Sequence, residues 1–355
     1  MAEVHIKAAR AAGAEIAGIA SSSPAGAVRA QDRLDVKQAY DSAQDLIRDE
    51  RIDVVHVCTP NATHVALADA ALKAGKHVVC EKPLATTVQD AAHLVELGDK
   101  AGRVATVPFV YRFHPMVREA RACIASGDAG RISTIQGSYL QDWLLSRDDD
   151  NWRVDAVLGG PSRAFADIGS HLCDLIEFVS GDRIARVGAL SRTVFSGRAE
   201  HKDVQTEDVV AAVFVTENGA VGNLLVSQVA PGRKNRLMIE VSGLESTVQF
   251  DQEAPETLWL GKRVGSQLLL RDPDALSPEA ARLSVLPAGH PQGYQDAFNA
   301  FVADTYAAIQ GEARDGLPTF RDGLRSAVLT ESIIESSKCG EWVNVPHVKE
   351  LEGVQ

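Results

Sequence analysis

A parallel, doubly wound α/β sheet over residues 1–110, followed by an α+β domain with a large, mostly antiparallel sheet over residues 111–355, is the fold this sequence predicts. Three observations carry the prediction. Over the first hundred or so residues, short apolar runs alternate with amphipathic stretches, as strand and helix do in parallel α/β sheets. Beyond residue 110 the strand candidates lengthen and follow one another directly. Between two of them lies Asn218-Gly219, a strong hairpin mark, and hairpins join antiparallel neighbours.

In the first domain the strand-like runs are 15–19, 36–40, 54–58, 77–80 and 104–107. Helical spacing of apolar residues predicts helices near 25–33, 42–50, 62–74 and 86–102. Gly75 follows the third of these where a left-handed C-terminal cap is expected. In the second domain, strands are predicted at 131–140, 185–195, 208–216, 220–229, 236–241 and 247–250, with late helices at 293–310 and 321–339.

Composition narrows the class. The 355 residues carry a net charge of −12, with 45% apolar and 24% charged residues. That balance is globular, and its sign disfavours nucleic acid or an anionic membrane as partner. No apolar stretch is long enough to span a bilayer, and Met1-Ala2-Glu3-Val4-His5 lacks the character of a signal peptide. Five scattered cysteines without CxxC spacing read as core thiols in a reducing cytoplasm.

The beginning is unusual. An amphipathic stretch (Val4, Ile6, Ala8, Ala9, Ala12) ends at Gly13 and runs straight into a strand. In a dinucleotide-binding sheet the first helix follows a strand and a glycine-rich turn whose amides hold the pyrophosphate. Neither is present, so the sequence as given is expected to start late, at an internal methionine. About a dozen residues or more would then be missing, one strand plus a fingerprint. The intact mass of the native protein tests this.

Two constellations carry chemistry. The first is Cys80-Glu81-Lys82-Pro83 after the apolar run at 77–79. A lysine at the carboxyl end of a strand stands where open α/β sheets bind ligands, and Pro83 keeps Lys82 extended. A plain Lys-Pro turn capping a strand is the alternative. The second is Asp167, His171 and Asp174, whose spacings of four and three share one helix stripe. Beside it runs the apolar stripe Ile168, Leu172, Leu175 and Val179, so the polar stripe edges the buried face, which suits a cleft. A solvated face is the alternative. Asp-x3-His-x2-Asp also resembles a metal pattern, but no cysteine or further histidine clusters beside it, and no metal is assigned.

The motifs in order resemble one family. They are Thr59-Pro60-Asn61-Ala62-Thr63-His64, Glu81-Lys82-Pro83, Tyr111-Arg112-Phe113-His114-Pro115, Gly159-Gly160 leading to Asp167-Ile168-Gly169-Ser170-His171, and Phe320-Arg321-Asp322-Gly323-Leu324 to Trp342-Val343. Each is weak alone. In this order and spacing the chain resembles the Gfo/Idh/MocA oxidoreductases, the glucose–fructose oxidoreductase and inositol dehydrogenase family, over essentially all its length. The resemblance implies a Rossmann-like first domain, here without its first strand and glycine fingerprint, and a substrate-binding and oligomerising second domain.

It also implies a reaction, hydride transfer between a secondary hydroxyl of a sugar or cyclitol and NAD(P). Such chemistry needs a base for the hydroxyl proton and a donor for the developing alkoxide. Histidine suits the first and a fixed ammonium the second, which gives His171 as acid/base, Lys82 as alkoxide stabiliser and Asp167 as the group that orients the imidazole or contacts a substrate hydroxyl. Cofactor contacts implied by the resemblance are Thr59, Pro60, Asn61, His64, Glu81, Lys82 and Arg112, and the Lys82–Pro83 bond is expected to be cis. Ser21 and Ser22 follow the strand at 15–19 where NAD-preferring folds place an acid. Hydroxyls there, with Arg29 beyond, admit either ribose or 2′-phosphate; NAD is expected, with NADP left open. An ordinary Ser-Pro turn is the alternative.

Gln141, Asp142, Trp143, Trp152, Arg153 and Arg163 gather polar groups and flat apolar surface before the catalytic helix. Of these Gln141, Trp143, Trp152 and Arg153, together with His290, are the expected substrate contacts. No cluster of several Arg and Lys accompanies them, which favours a neutral sugar or cyclitol over a phosphorylated one. A homodimer or homotetramer is expected from the large sheet of the second domain. Two rival functions stay open: a non-catalytic NAD(P)-binding regulator, which has no need for both Lys82 and His171, and an inactive, truncated relative.

Overall fold

Val54–Val57, His77–Cys80 and Ala105–Thr106 form strands β1, β2 and β3 because they are short β-branched runs whose residues pair in parallel register, Val55 with Val78 and Val79 with Thr106. The computed structural model describes residues 1–348, and residues 349–355 of the predicted second domain lie outside the described residues. The chain divides into two compact units: residues 1–108 with 295–324, and 109–294 with 325 onward.

In the first unit β1, β2 and β3 lie side by side in that order. Helices Pro24–Leu34, Ala43–Arg48, His64–Lys73 and Val88–Ala101 fall where the sequence predicts them. Ser23, Ser42 and Thr87 start three of these by accepting the N–H three residues on. Gly75, at φ +75°, ends the third, as its left-handed cap requires. The opening stretch is helix Ala2–Ala11. Runs 15–19 and 36–40 shrink to the single parallel bridge Ile19–Ala39, since extended backbone counts as sheet only where a partner pairs with it. The segment 295–324, which the sequence division assigns to the second domain, belongs to the first unit. Its helix Tyr294–Ile309 buries Phe298, Phe301 and Val302, and Val107 donates its N–H to Pro318 O at 3.2 Å. Sequence order gave no sign of this return.

The second unit carries, among the described residues, a nine-stranded sheet. Its strands are β4 Ile132–Leu140, β5 Ile184–Arg192, β6 Val209–Thr216, β7 Val221–Ser227, β8 Arg236–Gly243, β9 Thr247–Asp251, β10 Thr257–Lys262, β11 Gly265–Leu270 and β12 Val343–Asn344. They run in the order β11-β10-β9-β8-β4-β7-β6-β5-β12, antiparallel except where β4 meets β7. The Asn218-Gly219 hairpin forms, with Gly219 at φ +86°. The β10–β11 hairpin escaped the sequence because its turn, Arg263-Val264, lacks a paired turn signal and β11 is an exposed edge with little alternation. Helix Pro115–Ala125 was likewise unread. Helix Ser170–Ser180 packs on the inner face of the sheet, where a Cβ on Gly137 of β4 would meet Leu172 at 2.8 Å. Among the described residues no helix is long and apolar enough to cross a membrane.

Candidate active site

In the first unit β1 and β2 run out into Cys58-Thr59 and Glu81-Lys82, at the carboxyl edge where a parallel sheet receives ligands. Ser21 and Ser22 are exposed at the start of helix Pro24–Leu34, but its N-cap is Ser23. Thr59 is exposed and Pro60 and Asn61 are half-buried; the Thr63 hydroxyl, 2.6 Å from Thr59 Oγ1, donates to Pro60 O at 2.8 Å. This set of hydroxyls and an amide suits the hydroxyl-rich ribose and phosphate of a dinucleotide.

His64 and Glu81, read from the sequence as cofactor contacts, face inward. His64 is buried, with Nδ1 2.8 Å from Pro83 O and Nε2 2.9 Å from Thr59 O, so it ties the turn after β2 to the turn after β1. Burial lowers its pKa against the pull of those two carbonyls. Glu81 is buried, with Oε1 2.9 Å from His5 Nε2 and Oε2 accepting the Lys82 N–H at 3.2 Å. Burial raises the Glu81 pKa, but His5 and then Lys82 outweigh it and bring it to about 2. Lys82 is half-buried, and its bond to Pro83 is cis.

In the second unit the site is built on one helix start. Residues 165–169 form a π turn that leads into helix Ser170–Ser180. Wide turns of this kind recur at functional sites, and here Asp167 sits in the turn with His171 directly beyond it. Glu207 anchors the start by accepting the N–H groups of Arg163 (3.0 Å) and Phe165 (2.9 Å) and the Ser162 hydroxyl (2.8 Å). Burial pushes its pKa up, and the Phe165 amide, its own amide and the Ser162 hydroxyl pull it only part of the way back. His171 is buried and meets Phe109 and Tyr111 edge-on, with ring centroids 5.6 and 5.2 Å away. Gln228 Nε2 donates to Asp167 Oδ2 at 2.8 Å, and Arg153 Nε lies 3.5 Å from Oδ1.

Around this pair runs a polar lattice. Asn235 Nδ2 donates to Tyr111 Oη at 3.0 Å, while Tyr139 Oη and Gln141 Nε2 both donate to Asn235 Oδ1 at 2.8 and 2.7 Å. Trp143 Nε1 completes it by donating to Gln141 Oε1 at 2.7 Å. Of the expected substrate contacts, Gln141, Trp143 and Arg153 therefore gather near His171 or Asp167. Trp152 joins through Arg153, whose guanidinium stacks 4.5 Å from its ring. His290 does not join them; it is exposed on a loop whose carbonyls, its own included, are held by Arg271. Arg112, expected beside the cofactor, forms a fork with Asp174 and lies 5.0 Å over the Phe178 ring. Arg163 is buried and shares Asp208 with Arg198. Gln228, Asn235 and Glu207 escaped the sequence reading, being lone polar residues in strand and loop segments far along the chain from Asp167.

Residues 1–109 match the oxidoreductase family model with an NAD-binding Rossmann fold, and residues 117–249 match the GFO/IDH/MocA C-terminal domain. Levoglucosan dehydrogenase of Pseudarthrobacter phenanthrenivorans is 30% identical, spanning 93% of this chain and 89% of its own. A levoglucosan dehydrogenase structure in complex with NADH and L-sorbose superposes with TM-score 0.92 at 28% identity, covering 98% of this chain and 97% of the other. An inositol dehydrogenase homolog complexed with NAD+ from Azotobacter vinelandii gives TM-score 0.87 at 29% identity, covering 96% and 93%. With an NAD-binding sheet in the first unit and a matching C-terminal domain in the second, this chain belongs to the GFO/IDH/MocA oxidoreductase family.

Proposed function

We propose that this enzyme oxidises a secondary hydroxyl of a neutral sugar, anhydrosugar or cyclitol, with His171 as acid/base, Lys82 as alkoxide stabiliser and Asp167 as orienting group. The observation that carries the reading is His171 itself. A buried imidazole walled edge-on by Phe109 and Tyr111, with a braced carboxylate one turn before it, is a base held in one orientation. A nicotinamide bound there would supply the acceptor for the hydride of the carbinol carbon. His171 accepts the hydroxyl proton, and the Lys82 ammonium stabilises the oxygen as charge develops on it. Thr59, Pro60, Asn61, Ser21 and Ser22 are the proposed dinucleotide contacts. The match to an NAD-binding fold supports NAD as the cofactor, and the absence of an acid at the 21–23 turn leaves NADP open.

The neutrality of the substrate rests on where the arginines go. Arg163 and Arg198 are taken by Asp208, Arg112 by Asp174, and Arg153 lies beside Asp167. None of these is placed as a phosphate receptor of the kind that binds a sugar phosphate. Gln141 and Trp143, and through Arg153 also Trp152, supply the donors, acceptors and flat face that a sugar needs. We also infer a homodimer or homotetramer in the cytoplasm: all five cysteines are free thiols, and the net charge of −12 argues against a nucleic-acid partner.

The test is a screen of sugars, anhydrosugars and cyclitols with NAD+ or NADP+, read as formation of the reduced cofactor. It is paired with fluorescence titration of NADH. Turnover of a neutral polyol that disappears in Lys82→Met supports the reading. NADH binding without turnover of any polyol would favour the regulator instead, and absence of both would mark the chain as inactive.

A further inference from the structure

Behind Lys82 lies a chain of side chains, buried at His5 and Glu81 and half-buried at His56 and Tyr306, that the proposed chemistry does not use. Tyr306 Oη is 3.0 Å from His56 Nε2, His56 Nδ1 is 2.9 Å from His5 Nδ1, and His5 Nε2 is 2.9 Å from Glu81 Oε1. Its last link is the Glu81 Oε2 that accepts the Lys82 amide. The two histidines face each other through the same ring nitrogen, so one must donate and the other accept. Two proton arrangements satisfy the chain. In one, His5 is an imidazolium that donates to both Glu81 and His56, and His56 donates onward to Tyr306. In the other, His5 is neutral, every bond beyond Glu81 reverses, and one proton fewer is held.

We propose that His5 is a positioning residue for Lys82: as an imidazolium it fixes the Glu81 carboxylate, whose second oxygen holds the Lys82 backbone and so sets the direction in which that side chain leaves the strand. The far side of the turn is held independently, by His64 on Pro83 O. The proposal rests on the reading of Lys82 as the alkoxide-stabilising cation. The titratable groups facing the pair include Cys58 and His56 around His5, and Lys82, His64 and Cys80 around Glu81. Phe298 of helix Tyr294–Ile309 meets the His5 ring edge-on at 4.6 Å. The balance of these groups favours the imidazolium. Burial opposes its charge, but Cys58 and Glu81 outweigh that and raise the His5 pKa to about 10. His56 is held neutral by burial and by the cation beside it, with a pKa near 3.

The experiment uses the full chain and three variants, Lys82→Met, His5→Gln and Tyr306→Phe, with kcat, KM and NADH affinity measured across pH. Lys82→Met tests the underlying reading alone: if it keeps wild-type kcat, that reading fails and the inference with it. If it loses turnover, His5→Gln is expected to lower kcat about tenfold or more with NADH affinity nearly unchanged. Its acid limb should also move up by about one pH unit or more, because an unpaired buried carboxyl keeps its proton to higher pH. An unaltered pH profile and kcat in His5→Gln would overturn the inference. Should that variant not fold, nitrogen NMR of the wild-type chain decides, with Tyr306→Phe used to assign His56. Both His5 ring nitrogens protonated and His56 as the Nε2–H tautomer near pH 8 support the proposal; a neutral His5 there overturns it.

Discussion

Placing a neutral imidazole against a cation in a buried site makes a fold vulnerable to acid, and His56 is in that position. Its pKa is about 3 in the folded chain against 6.5 when exposed, so below about pH 6.5 the unfolded chain takes up a proton that the native one refuses. Stability therefore falls from pH 6.5 toward 3 on this account. His5 has the opposite sign: with its pKa raised from 6.5 to about 10, its contribution is complete below 6.5 and lost as pH rises through 10. Glu81, lowered from 4.5 to about 2, contributes above 4.5 and fails as pH falls through 2. Urea midpoints are thus expected to be highest near neutrality, and His56→Gln should flatten the decline between about pH 6.5 and 4.5 while leaving the alkaline decline in place. A wild-type midpoint that keeps rising as pH drops through that range would contradict the assignment. For the proposed base, His171→Asn should reduce kcat by ~10²–10⁴-fold with NADH affinity retained, measured by steady-state kinetics and fluorescence titration. Unchanged turnover would remove His171 from the reaction.

At the scale of elements, the π turn at 165–169 and the Asp208 node do the positioning. A Cβ on Gly169 would meet the Phe165 ring at 2.5 Å, and Phe165 is wholly buried with no room to yield. Gly169→Ala should cost about 1–3 kcal/mol by overpacking and displace the turn that carries Asp167. Chemical denaturation and kcat together check this; a fully stable, fully active variant would show that the turn tolerates rearrangement. Asp208 binds Arg163 and Arg198 with one oxygen, while the other accepts the N–H groups of Val194 and Phe195 at 2.6 and 3.2 Å. Arg198 in turn donates to the carbonyls of Leu144, Ser146 and Asp149. Asp208→Asn would leave two buried guanidinium groups without their shared charge, and a loss of roughly 3–5 kcal/mol is expected in equilibrium unfolding. A loss below about 1 kcal/mol, the level of an exposed pair, would mean the node is wet.

At the scale of the whole molecule, the large sheet is apolar on both faces. Its inner face packs on helix Ser170–Ser180, yet Leu190, Val213, Val221 and Leu225 on β5, β6 and β7 stand exposed, Leu190 at 73%. Cross-strand pairing sets Leu190, Ala211 and Leu225 in one row, and Trp342 lies against Gly188 of β5. A contiguous apolar patch on a sheet face is what an isologous contact between two copies buries. Sedimentation equilibrium is expected to show a dimer or tetramer that Leu190→Glu with Val213→Glu converts to monomer. A monomeric wild-type chain would refute this.

Much of the architecture was legible because it is written in local terms. The alternation of apolar runs and amphipathic stretches gave the parallel sheet, and helices such as Val88–Ala101 follow from spacing and caps. Asn218-Gly219 gave the hairpin, and the Asp167–His171 spacing gave one helix start. Those features depend on neighbours within a few residues, so the sequence by itself determined them. Only the tertiary structure decided the rest, which depends on contacts between residues far apart in the chain. The return of 295–324 to the first unit, Gln228 and Arg153 bracing Asp167, and Arg112 turning to Asp174 are of this kind. So is the engagement of Glu81 by His5, 76 positions away. A polar side chain reveals in sequence only that it needs a partner; which partner it finds is fixed by the packing that makes leaving it unpaired too costly.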